Sequence, residues 1–74
     1  MKVTVKLFAI FRTARFDIET RDYPPGTTVA DVADSIKLPQ SELGIMMVNS
    51  RHVKLERVLV DGDTLALFPL LGGG

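Results

Sequence analysis

The chain has 74 residues, 46% of them hydrophobic, and its nine basic and nine acidic residues cancel to no formal net charge. That length makes one domain around one modest core, and the charge balance leaves no basic footprint for a nucleic-acid backbone. Cysteine is absent, which removes disulfides, thiolate metal sites and cysteine nucleophiles together.

The opening stretch "MKVTVKLFAIF" is apolar but broken by Lys2 and Lys6, and it lacks a small-residue cleavage site. It does not read as a signal peptide, and no run approaches the ~20 apolar residues of a membrane span. A cytoplasmic protein with no membrane partner is expected. Residues 3–10 alternate: Val3, Val5, Leu7 and Ala9 point one way, Thr4, Lys6, Phe8 and Ile10 the other. That period of two predicts a strand with one core face. Phe16, Ile18 and Thr20 alternate with Arg15, Asp17, Glu19 and Arg21, predicting a half-exposed second strand. "IFRTAR" between them is short enough for a hairpin.

"YPPGTT" then breaks the pattern with two prolines and a glycine. Thr28 is placed to cap a helix, with Asp31 three residues on as the capping-box partner. Val29, Val32, Ala33 and Ile36 form one apolar stripe at helical spacing. The helix should stop near Leu38, because Pro39 disfavours helical geometry at the residue before it. "QSEL" and Gly44 read as a connection, and Ile45 to Val48 as a short, mostly buried strand. A turn at Asn49-Ser50 follows, with Val53 and Leu55 continuing as a short edge strand. "VDGD" at 60–63 is a turn signal, and Leu65 and Leu67 alternate with Thr64, Ala66 and Phe68 in a final strand. One helix among several strands in a single-core domain predicts an α+β layer, with the helix laid across one sheet face.

Few side chains here carry chemistry of their own. No Ser-His-Asp set can be assembled, and no metal-ligand spacing occurs. His52 is the single histidine and reads as a surface residue rather than a general base. Asp61 and Asp63 flank a glycine, too few carboxylates for a calcium loop. Met46-Met47 reads as core filling. What stands out is the ending "LFPLLGGG". Glycine is costly to order and contributes no packing, so three in a row form either slack or a thin backbone bearing a reactive carboxylate.

"VKLFAIFR", "TVADVADSIKLP", "MVNSR", "VDGDTLALFP" and the terminal Gly-Gly, in that order, resemble the MoaD/ThiS family of sulfur carriers over nearly the whole chain. The resemblance implies a ubiquitin-like β-grasp fold: a mixed sheet of four to five strands, one main helix across one face, and first and last strands side by side. It implies a domain over 1–69 and a flexible glycine-rich tail over 70–74. Within the family the small subunit of molybdopterin synthase is the nearer pattern, with an ending of Phe-Pro-Pro-Val-small-Gly-Gly. "FPLLGGG" aligns with it without a gap. Leu70 and Leu71 replace the second proline and the valine, and His52 stands where an apolar contact residue is usual.

The resemblance further implies that an ATP-dependent adenylyltransferase of the ubiquitin-activating type activates the Gly74 carboxylate, and that sulfur then makes a thiocarboxylate there. ATP belongs to that partner, and this chain binds no cofactor of its own. The large catalytic subunit of molybdopterin synthase is the implied second partner. The chain is then a carrier and a non-catalytic subunit rather than an enzyme. Gly72 and Gly73 let the tail thread a narrow channel, and five residues from Leu70 reach roughly 17 Å at ~3.3–3.6 Å each. With the first and last strands adjacent, Phe8 and Phe68 share the face away from the helix and read as a partner patch, with Pro69, Leu70 and Leu71 extending it. Loops covering the two rings are the alternative. Arg12 is either a contact, a local ion-pair residue or a brace for the tail. The competing functions are a carrier for thiamine or another metabolite, and a ubiquitin-like interaction or conjugation module without sulfur chemistry.

Overall fold

The computed structural model describes residues 1–70. Strand β1 (Lys2–Leu7) turns through a single 3-10 turn (Ala9–Arg12) into β2 (Ile18–Asp22). Helix α1 (Val29–Ser35) follows, then a second 3-10 turn (Gln40–Glu42), β3 (Leu43–Val48), β4 (Arg51–His52) and β5 (Thr64–Pro69). The five strands form one mixed sheet in the order β2-β1-β5-β3-β4. β1 and β5 run parallel at its centre, and the other neighbours are antiparallel. This is the ubiquitin-like β-grasp architecture.

The core lies between the sheet and α1. Val3, Val5 and Leu7 from β1 and Leu65 and Leu67 from β5 meet Val29, Val32, Ala33 and Ile36 from the helix. The capping box closes as its spacing requires: Thr28 Oγ1 accepts from the Asp31 amide at 3.2 Å, and Asp31 accepts from the Thr28 amide at 3.0 Å. The helix ends by tightening rather than by running to the proline. Leu38 N–H returns to the Ala33 carbonyl at 2.9 Å while Lys37 takes φ +60°, which tucks Leu38 into the core. The turn at 60–63 carries a buried carboxylate. Asp63 accepts from the Val60 amide and from Asn49 Nδ2, both at 2.9 Å, so each of its carboxyl oxygens is hydrogen-bonded.

Four local expectations are corrected. β1 stops at Leu7, because Ala9 enters the left-handed region at φ +54° and folds the chain into a 3-10 turn. That turn drives Phe11 into the core and leaves Ile10 outside. Arg15 fastens it, donating to the Phe11, Ile36 and Lys37 carbonyls. Second, β2 is exposed on both faces rather than half-buried, because it is an edge strand. Its charged residues keep that edge from pairing with another chain, and Phe16 packs on the core margin under the Arg21 guanidinium. Third, β3 begins at Leu43 and buries only Leu43 and Val48 fully, since one face of it is open. Fourth, β4 is two residues long. Val53 keeps one ladder bond, its amide donating to the Met46 carbonyl at 3.0 Å, and with Leu55 it packs on the core; the carbonyls of Leu55 and Arg57 take the first helix amides, Ala30 and Val29, at 3.0 Å.

Among the described residues, no helix is long and apolar enough to cross a membrane, and no three His, Cys, Asp or Glu residues gather as metal ligands.

Candidate functional site

The face of the sheet away from α1 is uncovered, and register assigns its residues to rows. The row farthest from the end of β5 is an ion pair, Lys2 with Asp22 at 2.7 Å. The Lys2 hydrogen bond holds the Asp22 carboxyl below its ordinary pKa. Next comes a threonine row, Thr20, Thr4 and Thr64, with the first two hydroxyls 3.1 Å apart. The third row runs Ile18, Lys6, Ala66, Met47, His52 across all five strands. The last is Phe8, Phe68 and Ile45. The face therefore grades from polar to apolar toward the point where β5 hands the chain to residues 70–74.

Phe8 and Phe68 stack with ring centroids 4.2 Å apart and planes 10° from parallel. Both rings are half-buried. Arg12 braces the pair from one side. Its guanidinium carbon sits 5.6 Å from the Phe8 centroid, its Nε donates to the Leu7 carbonyl at 3.0 Å, and Asp17 lies 3.8 Å away. The stack is thus fixed before any partner arrives, so docking costs little side-chain entropy there.

Pro69 differs from Phe68. It continues the inward alternation of Leu65 and Leu67, is buried, and pairs with Leu43 in β3. Its place as a contact residue is therefore corrected: in this fold it seats the strand end, and the exposed apolar residue beyond it is Leu70, 62% exposed. Leu70 N–H donates to the Glu42 carbonyl at 3.0 Å. Leu71, Gly72, Gly73 and Gly74 lie outside the described residues.

Gly44 makes this exit possible. A Cβ on it would sit 2.6 Å from the Pro69 carbonyl oxygen and 3.0 Å from the Leu70 Cα. The strand pairing slips by one residue there, between Leu43 and Ile45. Gly44→Ala is expected to destabilise the domain by about 1–3 kcal/mol through overpacking. Urea denaturation measures that loss, and amide exchange at Leu70 should accelerate more than exchange in β1. Unchanged exchange at Leu70 would show that the close approach is not what holds it.

Alternation already set Lys6 on the side of Phe8 and Ala66 on the side of Phe68 but gave neither a role, and it read Ile45 and Met47 as part of a mostly buried strand. Met47 is not core filling: it pairs with Ala66 and looks outward, while Met46 packs on the core. Only register reveals the difference. His52 stands beside Met47 at the outer end of the third row.

A family model described as the ThiS family matches residues 5–74. Among solved structures, a putative molybdopterin converting factor subunit 1 from Pyrococcus furiosus is 34% identical, with a TM-score of 0.77 over 96% of this chain and 99% of that one. SAMP1 from Haloferax volcanii is 25% identical, with a TM-score of 0.77 and full coverage of both chains. A chain of the protein–protein complex of subunits 1 and 2 of the molybdopterin-converting factor from Helicobacter pylori shares the fold, at 17% identity and a TM-score of 0.67 over both full lengths. No curated protein matches the sequence.

Proposed function

The chain belongs to the ThiS family, and we propose on that premise that it is a sulfur carrier whose Gly74 carboxylate is converted to a thiocarboxylate for molybdopterin synthesis. A carboxylate acylates poorly, because its charge repels nucleophiles and its oxygen leaves badly. An ATP-dependent partner solves this. A Gly74 carboxylate oxygen attacks the α-phosphorus of ATP, pyrophosphate leaves, and an acyl-adenylate forms. Hydrosulfide from a sulfide-level donor then attacks the carbonyl carbon, AMP leaves with the bonding electrons, the sulfur gives its proton to solvent, and the thiocarboxylate remains. The partner supplies the catalytic groups, and this chain supplies the carbonyl and later the sulfur. It acts as a carrier and as the small subunit of a synthase, not as a free-standing enzyme.

The observation that carries this reading is the stacked Phe8–Phe68 pair, set at the apolar end of the open face beside the strand that leads into a glycine-rich segment still within the family match. Preorganised aromatics of this kind are where binding energy concentrates. The molybdopterin assignment draws support from the Pyrococcus furiosus likeness. A larger synthase subunit as second partner draws on the subunit 1–subunit 2 complex that shares the fold. The test is the intact mass of the protein isolated from its native cell, which should show one oxygen exchanged for sulfur at Gly74. The same product should form on incubation with ATP, a sulfur donor and the cell's own adenylyltransferase.

A second reading rests on the likeness to small archaeal modifier protein 1 of Haloferax volcanii, over 95% of this chain and 98% of that one: Gly74 is joined to a protein amine. Branched peptides carrying Gly74 on lysine, without any thiocarboxylate, would favour it.

Phe68→Ala is expected to weaken association with the adenylyltransferase by about 30-fold. Because the ring is half-buried, the cost to folding should stay near 1 kcal/mol. Titration calorimetry beside a thermal melt separates the two, and a large stability loss with unchanged affinity would move Phe68 from the docking face to the core.

A further inference from the structure

Beside the aromatic pair lies a hollow that the tail chemistry does not use. Its floor is Ala66, the smallest side chain in its row. Phe8 and Phe68 wall one end, Lys6 and Met47 flank it, and Thr64 and Ser50 close the other end. No carboxylate lines it. Asn49, also at the rim, has its amide committed, donating to Asp63 and accepting from the Thr64 amide. The groups left to meet a visitor are the Lys6 ammonium and two hydroxyls.

Lys6 is the unusual member. The other open-face cations have carboxylates: Lys2 holds Asp22 at 2.7 Å and Arg12 lies 3.8 Å from Asp17. Lys6 has none among the described residues, and its cross-strand neighbours are Ile18 and Ala66. It precedes Phe8 by two residues, so the two side chains emerge on one face roughly 7 Å apart. Any partner that covers the phenyl rings also covers the ammonium. A purely apolar partner would strip that charge of water and return nothing, which is unfavourable. A carboxylate is the one complement that turns this into a gain, because the apolar walls strengthen an ion pair once water is excluded.

We infer that the hollow over Ala66 receives an aspartate or glutamate side chain of the adenylyltransferase, its stem against Phe8 and Phe68 and its carboxylate on Lys6. This rests on the carrier reading above and names the chemistry of the partner's contact. The occupant is a protein side chain rather than a free anion, because the hollow is continuous with the aromatic row that a protein would grip.

The test uses the full chain and the adenylyltransferase of its own cell, without ATP, by titration calorimetry at low and high ionic strength. Lys6→Arg should bind within about threefold of wild type, Lys6→Met about tenfold more weakly, and Lys6→Glu at least about 30-fold more weakly. Wild-type affinity should fall with salt more steeply than that of Lys6→Met. Lys6 is exposed, so thermal melts should stay within a few degrees. Should Lys6→Glu fail to fold, the Lys6→Met comparison decides alone. Equal affinity and equal salt dependence for wild type and Lys6→Met overturn the inference while leaving the carrier reading intact. Shifts of the Lys6, Ala66 and Ser50 amides on adding free glutamate or inorganic phosphate alone would replace the partner with a small anion and also overturn it. Absence of any wild-type binding or loading would defeat the carrier reading, and the inference with it.

Discussion

Gly74→Ala should lower thiocarboxylate formation by on the order of 100-fold while leaving the melting temperature unchanged. The substitution adds one methyl group beside the reacting carbonyl carbon. Adenylation needs that carboxylate in line with the α-phosphorus, and a misplacement near 1 Å is enough for a loss of about 100-fold. Glycine also admits backbone angles closed to alanine, so under the carrier reading the variant would lose both slimness and freedom at the activating site. Stability should not follow, because the core is built from residues up to Leu67. The measurement is single-turnover formation of the acyl-adenylate by mass spectrometry, with the partner saturating. Equal loading of the two proteins would sink the steric account, and a matching loss of melting temperature would assign the effect to folding.

Phe11→Ala is expected to have the opposite signature: about 3–5 kcal/mol of stability lost, with the stacked Phe8–Phe68 pair untouched in sequence. Phe11 is fully buried, the largest of the side chains so enclosed. At 0.05–0.15 kcal/mol per residue, 74 residues give a total stability of only about 4–11 kcal/mol. The variant should therefore be partly or wholly unfolded at growth temperature. Urea denaturation with an unchanged m-value would confirm a pure stability loss. A cost below about 1 kcal/mol would mean that the 3-10 turn can be remade without its anchor. The contrast with Phe68→Ala is useful, since one ring holds the fold and the other is proposed to grip a partner.

The helix and the two central strands were readable because their signals are local. The Thr28–Asp31 box and the Val29-Val32-Ala33-Ile36 stripe lie within nine residues, and both appear as the spacing predicts. The same holds for the Asp61-Gly62-Asp63 turn, where Gly62 takes φ +89°. The strand order was not readable from periodicity. Pairing of β1 with β5 is a contact between distant segments and came only with the family resemblance. The connection over 8–17 misled for another reason. Its left-handed positions are Ala9 and Ala14, which carry none of the glycine or asparagine signal that marks such turns. Phe11 was missed with it. On the open face, Phe8 and Phe68 could be anticipated from alternation plus strand adjacency, whereas Lys6, Ala66 and Met47 fall into one row only when two registers are known. Pro69 shows the limit of a motif: it follows Phe68 in sequence and faces the other way in space.

The parallel seam at the sheet centre sets Thr4 against Thr64, 60 positions later. During synthesis at ~5–20 residues per second, the first strand therefore waits about 3–12 s for its neighbour. Through that interval β2 and α1, both made earlier, are available to cover the Val3-Val5-Leu7 side, and the sheet cannot close until the fifth strand arrives. The strand that completes the sheet is also the one that carries Phe68. A product cut short before β5 therefore lacks the closed sheet and the stacked rings alike.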